Sequence, residues 1–145
     1  GYDNYQLLII GEGDDRVHLL KMIEELKVTN VSLLGHLAYP YQHIEAADFL
    51  ISSSRSEGFS LVILEAILLG TPVIATKTAG SIELMTFLGG GVLVENNTDA
   101  LYLAMKNACN GKLNGILTAR ENFEDIHRKT CSKIIDILGG GKDAF

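Results

Sequence analysis

Short apolar runs that stop at glycine, each followed by a stretch with helical spacing, recur along most of this chain. Residues 5–10 form the first, Tyr-Gln-Leu-Leu-Ile-Ile, halted by Gly11-Glu12-Gly13. Its hydrophobicity is continuous and not alternating, the mark of a strand covered on both faces. Residues 14–27 then read as a helix: Asp14 and Asp15 lie in its first turn, Lys27 closes it, and Val17, Leu20, Ile23 and Leu26 recur every three residues. Residues 31–34 are a second strand ending at Gly35, residues 41–47 a shorter helix, and residues 48–51 a third strand. A loop over 52–59 leads into an apolar helix over 61–69, stopped by Gly70 and Pro72. Residues 73–75 and 92–94 are the fourth and fifth strands, and Thr98 is placed to cap a helix whose Leu101, Met105 and Ala108 share a stripe. Helix-length segments between strands demand parallel pairing, since hairpins need only a tight turn. The pattern therefore predicts an α/β fold, a Rossmann-like parallel β-sheet flanked by helices on both faces. Such sheets bind ligands at the loops beyond the strands' carboxyl ends.

Beyond Gly111 the alternation ceases. A long helix is expected, opened by Thr118 with Glu121 three residues on, carrying Phe123, Ile126, Thr130, Ile134 and Leu138 on one stripe and stopped by Gly139-Gly140-Gly141. The expected organisation is thus one Rossmann-like domain over residues 1–110 and a helical tail over 111–145. At 145 residues there is room for one full domain. A hydrophobic content of 47% excludes intrinsic disorder. No apolar run approaches the roughly 18 residues needed to span a bilayer, and the opening residues do not read as a signal peptide. A net charge of −6 argues against a broad nucleic-acid surface. Cys109 and Cys131 supply neither a disulfide framework nor zinc spacing. A reduced, cytoplasmic setting is the expectation.

The densest chemical signal lies between Ser52 and Glu65. Glu57 falls in the loop after a strand; Glu65 is the only polar residue in the apolar helix over 61–69, in its second turn. A helix apolar nearly all round is expected to be buried, and a carboxylate there needs donors. A pair of adjacent sugar hydroxyls would satisfy both its oxygens; an internal Arg or Lys would serve as well. Gly58 allows a tight turn and close approach of a ligand. The amides of Phe59, Ser60 and Leu61 are unpaired helix-start donors that suit a phosphate, or else belong to an ordinary Ser-capped helix.

Taken together, Ser54, Glu57, Gly58, Phe59, Ser60, Glu65 and Ala66 resemble the signature of the retaining glycosyltransferases of family 4, a group with the GT-B fold. Residues 70–76 are similar to that family's Gly-x-Pro-Val strand, and Ile10-Gly11-Glu12-Gly13 and residues 31–35 to its earlier strand ends. The likeness runs from about residue 5 to about residue 110. It implies the C-terminal, donor-binding half of a GT-B enzyme, moving a sugar from a nucleotide-diphosphate sugar to a glycan or glycolipid acceptor with retention of anomeric configuration. Glu57 would be the catalytic residue, orienting the donor sugar and stabilising charge near its reacting carbon. Glu65 would accept from the ribose hydroxyls, while the backbone at Gly58, Phe59, Ser60 and Leu61 would bind sugar hydroxyls and diphosphate. No cofactor or metal is implied, because helix-end amides and basic side chains hold the leaving diphosphate.

Two departures qualify this picture. Ala79 stands where the family's second loop, here Ala79-Gly80-Ser81-Ile82-Glu83, has its first glycine. The family's phosphate-binding Arg and Lys precede the strand that opens this chain, and its N-terminal acceptor domain is missing. The resemblance thus implies a fragment that binds a nucleotide sugar weakly and transfers nothing alone. It implies no nucleic-acid partner, membrane contact only through the parent protein, and possible self-association through the Thr118 helix. A non-catalytic sugar-nucleotide-binding module is the alternative, with a sugar-nucleotide epimerase behind it. His36, at the end of the second strand, is a candidate to flank the nucleotide base, against simple solvation of a loop histidine. Arg55 is a candidate to pair with a phosphate or with Glu57, against a surface salt bridge, and Lys77 a candidate cation near the diphosphate, against the favoured reading of a solvated lysine. His18, His43 and His127 read as surface residues, and Met22, Met85 and Met105 as core filler.

Overall fold

In a computed structural model of the chain the structure describes residues 4–113, together with residues 128 and 132. Ten elements alternate: β1 (Leu7–Ile10), α1 (Arg16–Leu26), β2 (Val31–Gly35), α2 (Tyr41–Ala46), β3 (Leu50–Ser52), α3 (Leu61–Leu68), β4 (Val73–Thr76), α4 (Ala79–Leu88), β5 (Gly91–Val94) and α5 (Thr98–Cys109). They form two compact units that divide between Pro40 and Tyr41. Parallel strands with helices packed on them are the α/β class that the alternation predicts.

In the first unit β1 and β2 pair in parallel, from Leu7 opposite Val31 to Ile10 opposite Gly35, with an irregularity between Ile9 and Ile10. The Gly11 amide donates to the Gly35 carbonyl at 2.8 Å, prolonging the ladder. Helix α1 packs on β2 and ends at Lys27, which adopts the left-handed conformation with φ of 52°. It buries no side chain. Its half-buried positions are Arg16, Leu19 and Ile23, whereas Val17 and Leu26 are 76% and 66% exposed. The stripe read at every third residue is therefore corrected. Steps of three on a helix of 3.6 residues per turn drift by about 60° each, so Val17, Leu20, Ile23 and Leu26 cannot all face one neighbour. Asp15 stands at the N-cap without a side-chain cap bond.

In the second unit β4 lies between β3 and β5, parallel to both, with Ile51 opposite Ile74 and Ile74 opposite Val92. Every residue of β4 is buried. Helix α3 packs on β3 and β4, and α5 on β4 and β5. The core gathers Ile44, Ile63, Ala66, Ile67, Val73, Ala75, Leu84 and Met85. The buried Thr71 hydroxyl donates to the Ile44 carbonyl at 2.7 Å, tying the turn before β4 to α2.

Two helix starts differ from the sequence reading. Asn97, not Thr98, caps α5, its Oδ1 accepting from the Ala100 amide at 2.9 Å. Helix α4 has no counterpart in the sequence reading. It is opened by a reciprocal cap in which Thr78 Oγ1 accepts from the Ser81 amide and Ser81 Oγ from the Thr78 amide. Serine at the third helical position makes this box unlike the usual Glu or Gln pattern. The Thr118 helix with its stripe, the terminal glycine run, His127 and Cys131 lie outside the described residues. Among the described residues no helix is long and apolar enough to cross a membrane.

Candidate functional site

The carboxyl ends of β3, β4 and β5 hold one loop, residues 53–60, from several sides. The Thr76 hydroxyl donates to the Ser54 carbonyl at 2.7 Å and lies 3.4 Å from that of Ser52. The Asn96 amide group donates to the carbonyls of Arg55 at 2.9 Å and Lys77 at 3.1 Å. The Gly80 amide donates to the Glu57 carbonyl at 2.9 Å. A Cβ on Gly80 would meet the Phe59 nitrogen at 2.8 Å and the Gly58 carbonyl at 2.9 Å. Those are backbone atoms, so any side chain there would push the loop away. Glycine inside a helix costs about 0.5–1 kcal/mol relative to alanine, and here the close approach demands it. Gly80, Thr76 and Asn96 are absent from the sequence-derived site. Only Gly80 left a signal, as a glycine inside what proves to be a helix.

Within this loop two side-chain atoms are buried without a hydrogen-bond partner: Glu57 Oε2 and Ser60 Oγ, the only such atoms among the described residues. Leaving a buried polar group unsatisfied costs on the order of 1–3 kcal/mol, and native proteins keep few. Both occur within four positions of one another, at the start of α3. Ser60 occupies the N-cap, is 0% exposed, and makes no side-chain cap bond; the ordinary Ser-cap reading does not describe it. The amides of Phe59, Ser60 and Leu61 have no acceptor among the described residues. Three uncommitted donors at the positive end of a helix suit an anion.

Glu65 lies half-buried on the second turn of α3, and its carboxylate has no hydrogen-bond or ion-pair partner among the described residues. The expected full burial of this helix is corrected: Ile63, Ala66 and Ile67 face the core, but Leu61 is 64% and Val62 39% exposed. Eight residues spiral through two turns, and a sheet covers only one side of them. The desolvation argument for Glu65 weakens accordingly. The rival account, an internal cation, finds no support: the ion pairs Arg16–Glu12, Lys21–Glu25 and Lys77–Glu95 all leave Glu65 out, and it has no other partner among the described residues. Lys77 is thereby tied to Glu95, and exposed Arg55 pairs with neither site glutamate.

Gly58 needs no left-handed backbone, and a Cβ there would meet nothing within 4 Å. The expected tight turn is thus not its reason; open space beside the loop is what it leaves. Phe59 and Leu61 are exposed next to it. His36 belongs to the first unit, exposed, directly after Gly35 with φ of +71°. Also in that unit, Gly11, Glu12, Gly13, Arg16, Leu19 and Leu33 line an open depression of about 230 Å³. Among the described residues no group of three or more His, Cys, Asp or Glu side chains is arranged to hold a metal ion.

Comparison with known proteins matches residues 2–111 to the family model described as Glycosyl transferases group 1. An N-acetylgalactosamine-N,N'-diacetylbacillosaminyl-diphospho-undecaprenol 4-alpha-N-acetylgalactosaminyltransferase of Campylobacter jejuni is 34% identical over 104 residues, covering 70% of this chain and 28% of that protein. An N-acetyl-alpha-D-glucosaminyl L-malate synthase of Bacillus anthracis is 30% identical over 91 residues, covering 62% of this chain and 24% of that protein. The crystal structure of Anabaena HepE in complex with UDP-glucose superposes with a TM-score of 0.66 at 27% identity, over 89% of this chain and 40% of that one. The chain thus spans well under half the length of each.

Proposed function

The chain belongs to the glycosyl transferases group 1, and we propose that it forms the donor-binding part of such an enzyme, taking a sugar from a nucleotide-diphosphate sugar with retention of configuration. The observation that carries this reading is the coincidence, in one tethered loop, of the unpartnered Glu57 Oε2 and Ser60 Oγ with three uncommitted amides. The amides at Phe59, Ser60 and Leu61 take the diphosphate. They supply local positive potential that a chain of net charge −6 lacks overall. Because this stabilisation grows as the leaving group gains charge, it acts on the transition state more than on the ground state. Glu57 orients the sugar hydroxyls and faces the positive charge that develops at the anomeric carbon in an oxocarbenium-like transition state. Glu65 accepts from the ribose diol. No metal is required in this account, since the helix-start amides do the work of charge stabilisation.

HepE's complex with UDP-glucose supports a nucleotide sugar as the ligand class. The Campylobacter relative's diphospho-undecaprenol-linked substrate supports a glycolipid acceptor. Transfer itself then needs the remainder of a longer protein, and this part alone binds donor weakly without turning it over. Calorimetric titration with UDP-, GDP- and ADP-glucose tests the reading. Hydrogen bonds to charged groups contribute about 1.5–3 kcal/mol, so Glu65→Ala should weaken nucleotide binding at least tenfold. Unchanged affinity in that variant removes Glu65 from the site. Failure of all three nucleotides to bind removes the donor reading itself.

A further inference from the structure

We propose that Asn96 is a positioning residue for Glu57, holding the backbone from which that carboxylate projects and so governing how the sugar half of a donor is gripped. This rests on the donor-site reading above. Asn96 lies on the loop after β5, outside the segment whose spacing marks the site, and its side chain is exposed. Yet its amide nitrogen reaches three carbonyls from two other loops: Arg55 at 2.9 Å, Lys77 at 3.1 Å and, more weakly, Ser54 at 3.4 Å. One nitrogen carries two hydrogens, which suffice for the two good bonds, with the third carbonyl sharing. Arg55 is two residues before Glu57, and the Glu57 carbonyl is held in turn by the Gly80 amide.

The peptide bearing Glu57 is thereby pinned at both ends while its Oε2 has no partner of its own. Where that oxygen sits is decided by the backbone. Asparagine suits this task and aspartate does not, because a carboxylate facing three carbonyl oxygens has nothing to donate. Neighbouring Asn97 is occupied differently, capping α5. Glu65 sits on α3, to which Asn96 makes no hydrogen bond among the described residues. Asn96 should therefore affect the sugar end of a donor and spare the ribose end.

The test compares UDP-glucose with UDP on the 145-residue chain. In Asn96→Ala and Asn96→Asp the ratio of UDP-glucose to UDP affinity should fall about tenfold, with UDP affinity within threefold of the parent. The same fall is expected in Glu57→Ala, and the double variant Asn96→Ala/Glu57→Ala should show no further loss, because two residues acting through one contact are non-additive. Additive losses, or equal weakening of both ligands, would overturn the assignment. Independently of any nucleotide, exchange of the Gly80 amide with solvent should quicken at least fivefold in Asn96→Ala while β4 amides keep their protection. Unaltered Gly80 exchange overturns the proposal on its own. A chain that binds neither nucleotide but shows the faster exchange would instead sink the donor reading and leave Asn96 as the holder of this loop.

Discussion

The two compact units carry the same strand–helix alternation but bury it to very different depths. Among the described residues of the first unit only Gly35 is buried, and α1 contributes no buried side chain. In the second unit β4 is buried at every position, and Ile63, Ala66 and Ile67 of α3 are 0% exposed. A strand paired on both edges and packed by helices can bury all its residues; the strands of a two-stranded ladder have no such cover within their own unit. The difference bears on the site. Unpartnered polar atoms and a glycine inside a helix are each costly, and they persist where surrounding contacts over-determine the structure. The loop with Glu57 and Ser60 is anchored to the densely packed unit, so the core of that unit offsets the cost of its unpartnered groups.

The contrast can be broken most directly in the core. Truncating Ile67 to alanine, fully buried beneath β4, should cost about 2–5 kcal/mol in denaturant unfolding; a loss below about 1 kcal/mol would show that the second unit is looser than its burial implies. Next comes Gly80→Ala. Overpacking against the Gly58–Phe59 backbone should destabilise by about 1–3 kcal/mol, outweighing the helix-propensity gain of about 0.5–1 kcal/mol. Net stabilisation on unfolding would mean that the loop yields, and the Glu57 tether with it. In the first unit Gly35→Ala should cost about 1–2 kcal/mol, set by its φ of +71°. The Glu12 Oε1 found 2.6 Å from the new Cβ is the tip of an exposed side chain that can swing aside. Gly35→Asn should therefore recover part of the loss in thermal unfolding, and failure to do so would point to packing instead. The smallest effect belongs to α1: Leu20→Ala, at a position 49% exposed, should shift stability by no more than about 0.5 kcal/mol. A larger loss would erase the distinction between the units.

Much of this was legible from residues alone because burial leaves a local trace. Val73–Thr76 reads as a nearly continuous apolar run because it is buried at every position; Leu7–Ile10 reads the same way although none of its residues is buried, and all five strands can be found from such runs. Helix α4 escaped because an Ala-Gly-Ser opening has weak helical character and its cap is a serine pair. The face of α1 is not legible in this way, because an apolar residue recurring every third position mimics a stripe over one turn and not over three. Glu57 and Glu65 stood out by spacing within a single loop and helix, a pattern contained in fourteen consecutive residues, 52–65.

Local order, in short, was determined by the sequence: where strands and helices alternate, and which loop gathers carboxylates, small residues and a helix start. Only the tertiary structure decided that Gly80, Thr76 and Asn96 serve that loop, from positions 22 to 42 residues away from their partners in the case of Thr76 and Asn96. The physical reason is that they act on backbone carbonyls, which every residue supplies alike. A bond to such a partner imprints nothing on the partner's identity, so no reading of neighbouring letters reveals it until the chain has brought the two together.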